Sequence, residues 1–143
     1  MIEHSPILAP IVAMVAWSLV MWVWMYATRI PAMNAAKIDT MNLVGGSGED
    51  LRKAIPPQAQ WPADNYNHLM EQPTLFYAIA LVLALLGTGG GVNLMIAWAY
   101  VALRVAHSLV QATFNRVIIR FAIFSLSTVC IMALTLHAAM MMF

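Results

Sequence analysis

The sequence predicts an all-α integral membrane protein: a four-helix bundle, one domain over residues 1–143, whose helices each cross the bilayer. Four long apolar stretches carry few or no charges, and each is close to the twenty or so residues that a hydrocarbon core requires. Only 9% of the residues are charged and 62% are hydrophobic, whereas roughly a quarter of a soluble domain is charged, so a water-soluble core is excluded. Most of the Lys and Arg residues fall between the stretches, where charge stays in water. A net charge of +1 provides neither a basic patch nor an acidic tail, so membrane lipids are the expected surroundings and no nucleic-acid partner is expected.

The first span, about 7–28, is uncharged from Pro6 to Thr28, and only Glu3 and His4 precede it as polar groups with a charge to offer. It lacks the basic start of a cleaved signal and reads as a retained span. Trp22, Trp24 and Tyr26 gather near its end, at the level where aromatic rings meet headgroups, and Arg29 marks the water boundary. Residues 29–64 then turn polar, with Gly45-Gly46-Ser47-Gly48 reading as flexible and Pro56-Pro57 as extended chain. The second span, about 65–86, takes Asp64 or Asn65 as its N-cap. Pro73 within it is expected to kink the helix by releasing the Leu69 carbonyl.

Gly87-Thr88-Gly89-Gly90-Gly91 reads as a tight turn rather than a helix-packing motif. The third span, about 93–113, carries Arg104 and His107, and the fourth, about 117–141, starts after Asn115-Arg116 with Arg120 one turn inside. Four Lys or Arg residues lie between the first two spans, and Arg116 and Arg120 lie at the last turn. The positive-inside rule therefore puts the 29–64 loop in the cytoplasm and both termini outside it. The lone Cys130 reads as packing, and the twelve methionines read as lipid-facing or packing residues rather than a copper site. No metal is expected.

The chemistry is expected between the helices. An ionised side chain at mid-span costs on the order of 3 kcal/mol even on a lenient scale, so Glu71 and Arg104 are expected to pair. Glu71 falls about 9 Å along its span and Arg104 about 14 Å from the matching end of its own, a difference two long side chains bridge. Arg104, His107 and Gln111 share one helical face, extended by Ser108 and Asn115. Opposite them stand Tyr66, Asn67, His68 and Glu71. A buried salt bridge that only fixes helix register and a functional site both fit this pair. Arg116 and Arg120 read equally as anchors or as site residues.

The run Asn65-Tyr66-Asn67-His68-Leu69-Met70-Glu71-Gln72-Pro73, then Leu103-Arg104-Val105-Ala106-His107, then Arg116 and Arg120, resembles the MAPEG family of membrane-associated proteins in eicosanoid and glutathione metabolism, in its bacterial-type branch. The resemblance spans the whole chain. It implies a left-handed four-helix bundle assembled as a homotrimer in a bacterial inner membrane, with glutathione held between subunits near the cytoplasmic side. It also implies that Glu71 holds the amino end of glutathione, that Arg104 ties the helices and steadies Glu71, and that His107 lines the site. Arg116 and Arg120 fall where family enzymes place arginines that contact glutathione or activate its thiol, and Arg29 is a further candidate for a glutathione carboxylate.

The chain departs from the family pattern at three positions: His68 stands where asparagine is usual, Asn67 where an arginine precedes it, and Gln111 where a tyrosine follows His107 by one turn. By the resemblance, Asn65 or Asn67 would have to take the place of that asparagine, and His68, Asn67 and Gln111 would share the cofactor site. Two functions of different kinds follow. One is a glutathione-dependent transferase or peroxidase acting on lipophilic electrophiles, with Arg120, then Arg116, as thiol-activating residues. The other is a non-enzymatic lipid-binding or partner-binding protein of the same fold. A proton-coupled exporter is a third reading, disfavoured because the first span carries no acid.

Overall fold

The computed structural model describes residues 4–143, so Glu3 lies outside the described residues. Six helices follow one another: α1 (Leu8–Ala35), α2 (Gly48–Ala54), α3 (Pro57–His68), α4 (Gln72–Leu85), α5 (Gly91–Thr113) and α6 (Val117–Met142). By length and apolarity, α1, the α3–α4 pair, α5 and α6 are four candidate membrane spans. The chain is thus a multi-pass, all-α membrane protein.

α1 is longer than its first span requires. Its 28 residues reach about 42 Å, and the helix continues past Arg29 and through Pro31 before it stops. The stop is a Schellman turn: Lys37 is left-handed, with φ 54°, its N–H donates to the Asn34 carbonyl, and the Ile38 N–H donates to that of Met33.

The connection that follows is partly helical where the sequence suggests flexible chain. Ser47 caps α2, its hydroxyl accepting from the Asp50 N–H while the Asp50 carboxylate accepts from the Ser47 N–H. Pro56 is extended, and Pro57 opens α3 at the position where a missing N–H costs nothing. The helix therefore starts about two turns before Asp64 or Asn65, and neither residue is its N-cap. Asp64 instead takes a two-pronged contact from Arg52 at 2.7 and 3.3 Å, and Asn65 is fully buried inside α3.

Pro73 does more than kink the second span. The chain leaves helical geometry over Leu69–Glu71 and restarts at Gln72, so Pro73 sits in the first turn of α4, where its absent N–H is harmless. Gln72 fastens the restart to its neighbours, donating to the Thr128 hydroxyl at 2.8 Å and accepting from Tyr100 at 3.4 Å. Tyr100 stacks on Phe76 at 4.3 Å, and Met14, Met21, Leu83 and Leu134 complete a dry core around them. At the far end, Gly89 is required: a Cβ there would collide with Ser5 Oγ and lie 2.7 Å from Ile7 Cγ2. Val12, Leu19, Val23, Leu126, Val129 and Met132 stay exposed, as side chains that face lipid do.

Candidate functional site

The polar stripe of α5 faces inward. Arg104, His107, Ser108 and Gln111 are all buried, because three- and four-residue steps keep them on one face. α3 meets that face with His68 and α6 meets it with Phe124, and Asn65, one turn before His68, is fully buried in α3. The result is a polar cluster at the end of the bundle nearest the long connection.

Arg104 is its centre. Its Nη2 donates to His68 Nδ1 at 2.8 Å. Guanidinium has no acceptor, so that nitrogen of His68 accepts, and the ring is neutral with its proton on Nε2. His68 stacks on His107 with centroids 4.9 Å apart and planes within 11°. Phe124 meets His68 edge-on at 5.3 Å, and the Arg104 guanidinium carbon lies 5.9 Å from the Phe124 centroid. Two of the three guanidinium nitrogens, Nε and Nη1, are buried with no hydrogen-bond partner among the described residues, as are both amide atoms of Asn65, His107 Nδ1, Ser108 Oγ and Gln111 Oε1.

The expected pairing of Glu71 with Arg104 does not form. Among the described residues the ion pairs are those of Arg52 with Glu49 and with Asp64. Glu71 is exposed and lies at the N-cap of α4. The reason is the break before Pro73: it turns the chain just ahead of Glu71, while His68, still on the last turn of α3, reaches Arg104 instead.

Arg120 donates to the side-chain carbonyl of Asn115 through Nη1, and its Nε is buried without a partner. Asn115 is left-handed, with φ 50°, where α5 hands over to α6. Arg116 is exposed as the N-cap of α6. Arg29 and Asn67 lie elsewhere. Both line a cavity of about 620 Å³ beneath residues 38–54, which none of the other candidate residues lines. One set of sequence candidates is therefore divided between two places: His68, Arg104, His107 and Gln111 within the helices, with Arg120 and Arg116 at the α5–α6 turn, and Arg29 with Asn67 under the connection.

Sequence reasoning missed Phe124 and Gln60; of Asn65 and Asn67, either of which could replace the family's asparagine, Asn65 is the one buried in α3 and Asn67 lines the cavity under the connection. That choice was legible once Pro57 is taken as a helix start, because Asn65 then falls three residues before His68 on the same face. Gln60 links Arg29 to the connection, accepting from Arg29 Nε at 3.0 Å and donating to the Gly48 carbonyl at 3.2 Å. Nothing in a mostly apolar α6 singles out Phe124.

The fold defines a membrane-embedded helical bundle with a buried arginine, Arg104, inside it. The MAPEG family model matches residues 7–140, and the chain belongs to that family. Comparisons with curated proteins and with solved structures gave no match.

Proposed function

We propose that the protein is a glutathione-dependent membrane transferase or peroxidase acting on lipophilic electrophiles. One observation carries the reading: Arg104 is fully buried with two guanidinium nitrogens unpartnered and, among the described residues, no carboxylate within ion-pairing distance. A buried cation of this kind calls for an anion, and the free donor of Arg120 adds to the demand. The orphaned donors suit a tripeptide that brings two carboxylates and a thiol.

In this reading Arg104, held by His68, takes one acidic group, and His107 and Gln111 line the same site. Glu71, exposed at the helix break, holds the amino end of glutathione across a subunit boundary in a trimer. Arg120 stabilises the thiolate, with Arg116 beside it. Lowering a thiol pKa from about 8.5 to 6.5 takes roughly 2.7 kcal/mol, within reach of one partly desolvated guanidinium. The thiolate then attacks an electrophile or peroxide that arrives through the bilayer. The site faces the cytoplasm, and the termini lie on the other side.

A non-enzymatic binder of the same fold is the second reading, favoured by the Arg120–Asn115 contact, which occupies the guanidinium proposed to activate the thiol. Calorimetric titration of the detergent-purified protein with reduced glutathione tests the first. Saturable binding is expected, weakened at least tenfold by Glu71→Gln, with Arg120→Ala losing turnover on an electrophile panel. No heat at millimolar glutathione sinks the proposal, and binding with no turnover on any electrophile or lipid peroxide leaves the binder.

A further inference from the structure

We propose that the cavity under residues 38–54 holds the headgroup of a bilayer phospholipid, with its phosphodiester on Arg29 and an ammonium group on Asp50. The inference is independent of glutathione binding. The cavity is about 620 Å³, within the range of small-ligand sites. Its polar lining includes Arg29, Ser47, Asp50 and Asn67, and its apolar lining Ile38, Leu43, Val44 and Leu51.

Arg29 is held ready for an anion. Gln60, only 2% exposed, takes its Nε and is itself fixed on the Gly48 carbonyl. Both terminal nitrogens of the guanidinium carry no hydrogen bond or ion pair to the described residues, so the pair is free for the bidentate contact that phosphate oxygens accept. Asp50 commits one carboxylate oxygen to Ser47 and has no hydrogen bond from the described residues on the other.

Depth identifies the occupant as a lipid. Arg29 lies about 4.5 Å along α1 beyond Tyr26, which packs edge-on against Trp22 at 4.8 Å in an exposed aromatic pair. Such rings sit at headgroup level, so Arg29 stands at the phosphates. The rim is equally telling: Met41 is 91% exposed, Val44 95% and Leu43 55%. Apolar side chains this bare are costly in water and favourable against the acyl boundary. The exposed Lys37 adds positive charge at the start of the same segment.

Native mass spectrometry of the full chain, extracted in mild detergent and supplied with phosphatidylethanolamine or phosphatidylglycerol, tests this. The expected result is one tightly retained phosphatidylethanolamine per chain. Arg29→Gln should cut retention at least tenfold, and Asp50→Asn should erase the preference for phosphatidylethanolamine. Val44→Asp, at a site with no buried contacts to lose, should also weaken retention while leaving the glutathione titration unchanged. Equal retention by the wild type and Arg29→Gln would overturn the proposal. So would displacement by glutathione, which would place Arg29 in the thiol site, or displacement by micromolar O-phosphoethanolamine, which would make the ligand a soluble headgroup rather than a lipid.

Discussion

Among the described residues, His68 is the only hydrogen-bond partner of the Arg104 guanidinium, and that makes it the most exposed point of the cluster to substitution. Replacing it with leucine leaves a buried guanidinium without any acceptor, a loss of about 1–3 kcal/mol. Asparagine offers a carbonyl oxygen in nearly the same place and should retain most of that stability. Fluorescence-detected thermal unfolding in detergent should therefore rank wild type and His68→Asn above His68→Leu. Equal midpoints would mean that Arg104 has another partner. Arg104→Met provides the companion experiment: exchanging a buried charge for an apolar chain of similar length is often neutral or stabilising, so this variant should stay folded while losing anion binding. The α5 half of this cluster was legible, because Arg104, His107 and Gln111 follow helical spacing. The partner was not. Depth alone favours Glu71, and only the geometry of the break before Pro73 turns its carboxylate outward and leaves His68 facing the guanidinium.

At the scale of the element, the same lesson recurs in α2. Read by composition, Gly45-Gly46-Ser47-Gly48 suggests loose chain, yet Ser47 followed three residues later by Asp50 is a capping pattern, and the structure uses it. Hydrogen bonds from the Ser47 backbone, then from its hydroxyl, hold the Asp50 carboxyl below its ordinary value of 3.8. The sign follows from the depressed folded value: the cap contributes its full stability above the unfolded pKa near 4 and loses it as pH falls through the lower folded pKa. Hydrogen exchange measured from pH 6 down to pH 3, corrected for intrinsic rates, should show the amides of residues 48–51 losing protection while those of α5 keep theirs. Ser47→Ala should have low protection at every pH in that range. If the wild type shows no pH dependence in this segment, the box does not hold α2 in solution. The spans themselves needed no such subtlety, since uncharged apolar length dictates them, but their ends did. α1 overran Arg29 until Lys37 turned left-handed, and α3 began at Pro57 because proline suits a first turn.

The whole molecule presents an imbalance that one chain does not resolve. Its interior holds Arg104 with free donors while the carboxylate nearest in sequence, Glu71, points outward. On the proposed reading, a trimer with glutathione between subunits would resolve both at once, because the anion would enter the interior beside Arg104 and its amino group would meet the exposed Glu71. Binding and assembly are then coupled: a ligand that contacts two chains stabilises the assembly more than the separate subunits. At a glutathione concentration 100 times its dissociation constant, the folded assembly should gain about 2.7 kcal/mol for each site. Thermal unfolding followed by light scattering, with and without glutathione, should show three chains dissociating at a higher temperature when the ligand is present. Glu71→Gln should lose most of that gain while keeping the ligand-free midpoint, since its carboxylate makes no ion pair with the described residues. A ligand-induced shift that survives in Glu71→Gln would place the glutathione site within one subunit and remove the reason for reading Glu71 as a bridge between them.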